Sequence, residues 1–435
     1  MLYIESFFHR VELAEIVARW MVNHPLPGDV YRLKTILNFN SYASRIWVKD
    51  LIREQLGQIY PEQDVIDQVC KTKGELKDLI VQYPQLPLSQ DLHQETPQHS
   101  AYTASNGLAN GVLATTPPNV RQLVAAYNAR PEKFFRGTPL DGHAYFVESS
   151  TSQSDPQPIS GQESKLNERC YVGSTRFKRF RRISEKGSRR IVDYIRKQIE
   201  DLKRSGQIDE DEDSNIREFI RLEESITSAS RAGTIHNALP LMAIPDVVGI
   251  KIVADETKYD HLIDALTRSS NCSIIETERH SGIYNATNLK IEHRVDKKSL
   301  LNCIPRGGAK QLCVSRGLKE STLEDDYLRF IESAEESCLV EIIVSSYDEL
   351  VESEIGRGMH EERIFAQRLA ADYNTQLATN VFYLLDYMLS LCLAPGCEDI
   401  DDVPIKLWYK YMPDTIDALI GRLFNIPVDA SLGAI

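Results

Sequence analysis

Two acidic residues border apolar strands in this chain, Asp246 in IPDVVGIKIVA and Glu341 in CLVEIIVSS. A continuous Val/Ile run reads as a strand buried on both faces, so an acid at its mouth stays solvated and free to bind a hard cation. Two carboxylates that converge there can hold Mg²⁺ against a nucleoside triphosphate and orient an in-line transfer. Asp246 and Glu341 are therefore the predicted metal ligands and catalytic pair. The plainer alternative is a pair of solvated strand ends.

Three further groups could serve such chemistry. The run RFKRFRRISEKGSRR sets Phe177 and Phe180 among cations, a composition able to grip phosphates while a ring packs under a base, and equally that of a solvated helix face or an RNA-binding patch. In ERHSGIYNATN, Gly282 permits a tight turn, Tyr284 offers a stacking face, and Arg279 with His280 supplies positive charge. In ESEIGRGMHEERI, Glu354, Arg357, His360 and Arg363 recur at helical spacing, the pattern of a charge-paired surface helix.

The rest of the chain must position these groups. Its 435 residues exceed one ordinary hydrophobic core, and an apolar fraction of 42% with 26% charged residues is that of a soluble protein. A net charge of −13 argues against a general nucleic-acid coat. The opening MLYIESFFHRVELAE lacks the uninterrupted core of an export signal, and VFYLLDYMLSLCLAP is broken by Asp386, so a cytoplasmic protein without a membrane span is expected. Eight cysteines without a CxxC or a matching His pair favour neither zinc nor disulfides.

Helical spacing in VELAEIVARWMV, YASRIWVKDLIREQL and DVIDQVCKTKGELKDLIVQY predicts a helical domain over residues 1–83. Residues 84–165 are polar and rich in Pro, Ser and Thr, with one helical patch at NVRQLVAAYNAR and an aromatic segment PEKFFRGTPLDGHAYFVES, and read as a flexible or partly ordered insertion. The basic stretch from Thr175 to Arg204 and the next segment read as two helices. From Asp246 the order becomes strand, helix, strand, strand, a short helix and the strand LVEIIVS, a mixed α/β pattern that closes a module over 166–372. C-terminal helices fill 373–435.

Taken in order, a basic segment, an Asp-opened strand, a Gly-Tyr turn and a Glu-bearing strand leading into a helix resemble the synthetase domain of RelA/SpoT-type alarmone enzymes. Arg176 and Lys178 match that family's RxK pair, Lys186 its further phosphate-binding lysine, and Asp246 its strand-opening metal ligand. Gly249 and Lys251 fall where small synthetases often carry Gly and Arg. Gly282 and Tyr284 resemble the NGYxxxH turn with Ile283 between them, and Asn288 replaces its histidine. Glu341 and Ile343 match the first and third positions of ExQxRT, whose RT is here Ser345-Ser346. About sixty residues separate Lys186 from Asp246, more than the family has.

The resemblance implies an α+β fold, a mixed β-sheet nucleotidyltransferase-like module flanked by N-terminal and C-terminal helical regions. It further implies Mg²⁺-dependent transfer of pyrophosphate from ATP to a nucleotide hydroxyl. In that scheme Asp246 binds the metal, Glu341 orients the hydroxyl, Arg176, Lys178 and Lys186 hold phosphates, Lys251 and Arg279 line the substrate site, and Tyr284 stacks on the acceptor base. Two other readings stay open: transfer to an RNA 3′ end, with tRNA as the partner, and a non-catalytic nucleotide-binding or interaction protein.

Overall fold

The computed structural model describes residues 2–83, 117–134, 136–149, 168–209, 211–234, 242–281, 285–355, 375–410 and 413–426. The fold is α+β. A seven-stranded sheet runs in the order β2 (Asp64–Thr72), β3 (Pro139–Ser149), β4 (Glu168–Phe177), β6 (Val248–Val253), β9 (Ser337–Ser345), β8 (Ala286–Arg294), β7 (Cys272–His280). Only β6 and β9 pair in parallel within it; the other neighbours are antiparallel. A separate parallel pair joins β1 (Leu2–Ile4) to β5 (Met242–Ile244).

Helices α1 (Arg10–Met21), α2 (Asp29–Ile59) and α7 (Glu256–Arg268) share one large core with the sheet. In α2 the apolar positions Leu33, Ile36, Leu37, Ala43, Trp47, Val48, Leu51 and Ile52 form the buried stripe. They pack against the inward row of the sheet, Val248, Ile250 and Ile252 of β6 with Val340, Ile342 and Val344 of β9. Helices α5 (Phe180–Arg204) and α12 (Gln376–Leu391) extend this core, with the α5 residues Ile183, Ile191 and Ile195 buried in it. On the opposite face α3 (Lys73–Gln82), α4 (Pro118–Ala129) and α11 (Tyr347–Glu354) seal a smaller core around Tyr171, Phe146 and Val253 at one end. Beside that core this face carries several polar side chains, among them Arg176, Lys251, Asn288 and Glu341.

The strands and helix expected between Asp246 and Ser345 are present, as is the helix at 118–129. Residues 64–72, expected to be helical, form strand β2. Its Val65, Ile66 and Val69 suit either period locally, and the ladder with β3 decides between them. The aromatic segment at 139–149 is that partner strand, so the sheet extends beyond the 166–372 module. Arg176, expected at the head of a helix, lies in β4, and the helix begins at Phe180. Among the described residues no helix is long and apolar enough to cross a membrane.

Candidate functional site

The site lies on this second face, beside the smaller core. Residues directly opposite each other in a ladder share a face, and the register Arg176↔Gly249↔Glu341↔Lys290 sets one row across β4, β6, β9 and β8. The next row is Ser174↔Lys251↔Ile343↔Asn288. Gly249 leaves a gap between Arg176 and Glu341: a Cβ built there would meet nothing nearer than Glu341 O at 4.0 Å.

Asp246 sits in the turn between β5 and β6, two residues ahead of the strand. Glu341 is not at a strand mouth as expected but in the middle of β9. Position 341 still faces the polar side because β9 alternates, with Val340 and Ile342 buried and Glu341 partly exposed.

Lys178, just beyond β4, is anchored by its N–H to Val247 O (2.8 Å), and its ammonium donates to Asp246 O (2.6 Å) and to Asp246 Oδ2. Lys186, in the second turn of α5, donates to the same Oδ2. Burial opposes ionisation of Asp246, but the two ammonium groups win and bring its pKa to about 2. Its other oxygen, Oδ1, is shielded from solvent and has no hydrogen-bond partner among the described residues. Glu341 behaves oppositely: burial and the nearby Asp246 charge raise its pKa, against the pull of Lys178 and Lys186.

Arg176 and Lys251 take a different partner from the one expected. Glu354, at the end of α11, accepts from Arg176 Nη2 at 2.7 Å and from Lys251 Nζ at 3.1 Å, forming a buried ion trio beside the first cluster. Burial lowers the Lys251 pKa, and Glu354 counteracts this. Periodicity placed Glu354 on a helix, but nothing in the sequence joins it to residues 103 and 178 positions away.

Arg279 is exposed near the end of β7, opposite Thr287, on the other face of the hairpin from Glu278 and Asn288. It does not join the cluster. Gly282, Tyr284, Arg357, His360 and Arg363 lie outside the described residues. Where the resembled family has Arg-Thr, Ser345 is buried in β9 and Ser346 caps α11 by accepting from Glu349 N at 3.3 Å.

The donor set suits a hard cation. An unpartnered, shielded carboxylate oxygen beside a second carboxylate whose charge is disfavoured is what a divalent ion would relieve, and Mg²⁺ needs only one or two carboxylates when waters and phosphates complete its shell. Asp246 and Glu341 are the residues that would hold it. Among the described residues there is no group of three or more His, Cys, Asp and Glu side chains able to bind a metal.

Compared with protein families, curated proteins and solved structures, the chain matches none. Fold and site define an α+β protein in which two carboxylates and four cations gather at one face of a mixed sheet.

Proposed function

We propose that this protein is a Mg²⁺-dependent pyrophosphoryl transferase that moves the β,γ-diphosphate of ATP to a nucleotide hydroxyl. The observation that carries the reading is the Asp246 carboxylate, with one oxygen neutralised by Lys178 and Lys186 and the other unpartnered and shielded beside Glu341. The resemblance to RelA/SpoT-type synthetase domains supplies the reaction type.

In this scheme the acceptor oxygen bonds to the β-phosphorus of ATP, the bond from that phosphorus to the α,β-bridging oxygen breaks, and AMP leaves. The hydroxyl proton passes to Glu341, whose raised pKa makes it a better base than an ordinary carboxylate. Lys178 and Lys186 exchange part of their contact with Asp246 for phosphate oxygens, which stabilises the charge developing on the transferred group. Mg²⁺, when bound, supplies Lewis-acid neutralisation of the phosphates. Gly249 leaves the sheet surface open beside Glu341 for the reacting atoms.

The test is incubation with γ-labelled ATP and Mg²⁺ against GDP, GTP, ADP, ATP and bulk tRNA in turn, with Asp246→Asn as the control. Label moving to a nucleotide only with the unaltered protein supports the reading. Label on tRNA would shift the acceptor to an RNA end, and nucleotide binding without transfer would overturn catalysis.

A further inference from the structure

Position 288 carries an asparagine, and the structure gives it two partners. Its Nδ2 lies 3.0 Å from His280 Nε2, across the β7–β8 ladder, and 3.5 Å from Glu341 Oε1 on β9. An amide nitrogen only donates, so His280 Nε2 must accept, which places the ring proton of neutral His280 on Nδ1. The two hydrogens of one NH₂ group are thereby divided between the imidazole and the carboxylate. Among the described residues, Glu278 is the other charged group beside this ring, with Oε2 3.6 Å from His280 Nε2. His280 and Glu278 stay open to water, with side chains 37% and 64% exposed, while Asn288 and Glu341 are partly buried.

The arrangement has a directional consequence. A side-chain amide can rotate by 180°, and only one of its two settings presents N–H to Glu341. Glu341, which only accepts, selects that setting, and His280 reinforces it in the tautomer whose Nε2 accepts from the same nitrogen. A contact of 3.5 Å is long, as catalytic hydrogen bonds often are before substrate is bound.

We infer that Asn288 and His280 are positioning residues for Glu341: His280 fixes the Asn288 amide, and the amide fixes the carboxylate that faces the acceptor. The inference rests on the transferase reading for its catalytic consequence, but not for its structural content. Neither residue touches the reacting atoms in this scheme.

The experiment uses the full chain labelled with ¹⁵N-asparagine, with the Asn288 side-chain amide resonance assigned by its disappearance in Asn288→Asp. Glu341→Ala and His280→Ala are each expected to move that resonance upfield, whereas His280→Gln, whose amide oxygen can still accept, leaves it near its original position. A resonance unmoved by both alanine variants overturns the inference. If the unaltered protein shows transfer, His280→Ala lowers kcat about tenfold at unchanged KM for ATP, and His280→Gln recovers most of the loss. Full kcat in His280→Ala would also overturn it. An inactive unaltered protein removes the transferase reading and leaves the amide resonance to decide the positioning alone.

Discussion

Lys186, one helical turn and a half into α5, donates to the Oδ2 of Asp246, while the Oδ1 of the same carboxylate is shielded and unpartnered among the described residues. Lys178 converges on that same Oδ2 from the end of β4. One carboxylate is therefore split into a neutralised oxygen and one whose buried lone pairs are unmet. Leaving such an acceptor unsatisfied costs about 1–3 kcal/mol, which a bound cation would offset.

Asp246→Asn replaces the anionic ligand with an amide of the same shape. Mn²⁺ binding, followed by electron paramagnetic resonance as a stand-in for Mg²⁺, should weaken more than about a hundredfold, beyond what loss of a supporting residue produces. Circular dichroism should be unchanged, because the backbone contact of Lys178 to Asp246 O at 2.6 Å survives. Equal Mn²⁺ affinity in the variant would remove Asp246 from the metal site.

Gly249→Leu tests whether the gap between Arg176 and Glu341 is a binding slot. The nearest atom to a built Cβ is 4.0 Å away, and a larger residue suits a strand better than glycine, so stability should stay within about 1 kcal/mol of the original. Affinity for a fluorescent ATP analogue should fall at least about tenfold. A variant that binds as before shows that nucleotide does not use this part of the sheet.

Acid should destabilise the protein in two steps. His293 is buried, stacked on Trp47 at 5.8 Å, and burial lowers its pKa to about 4 despite the opposing hydrogen bond that the ring donates to the Asn271 backbone carbonyl. Its folded-state pKa lies below its ordinary 6.5, so its contribution is fully present above pH 6.5 and is lost as pH falls toward 4, up to about 3 kcal/mol. Asp246, lowered from 3.8 to about 2, follows: its contribution is present above pH 3.8 and lost below it, a further loss of about 2 kcal/mol. Urea unfolding between pH 7 and 4 should show the first step, and His293→Phe, which keeps a ring on Trp47, should flatten it. An unchanged slope in that variant would place the loss elsewhere.

Glu354→Ala removes the carboxylate that pairs with Lys251, whose side chain is only 6% exposed, and one partner of Arg176. Removing one member of a buried ion group costs about 3 kcal/mol or more, chiefly through the charge left unpaired. Adding Lys251→Met to Glu354→Ala should recover part of that loss, giving a coupling energy of about 1–3 kcal/mol in a double-mutant cycle read by denaturant unfolding. Additive losses would mean that Glu354 and Lys251 do not stabilise each other.

The sequence by itself determined the elements with strong local signals. The stripe of α2, the apolar runs VGIKIV and LVEIIV, and the α7 pattern between them were legible because a repeat of 3.6 or 2 residues survives whatever packs against it. Asp246, Lys178 and Lys186 stood out in the sequence because a lone acid before an apolar strand and cations at a helix start are unusual in type and place, and the structure brings the three together. Tertiary structure alone decided that 64–72 is a strand, since its short, mixed pattern fits two periods and only the ladder with β3 separates them. It also decided that Arg176 and Lys251 turn to Glu354, and that Asn288 lies between His280 and Glu341. These partners come from different strands and helices. Their meeting depends on strand order and register, and neither leaves a local trace, because a ladder's backbone hydrogen bonds do not depend on which side chains it brings together.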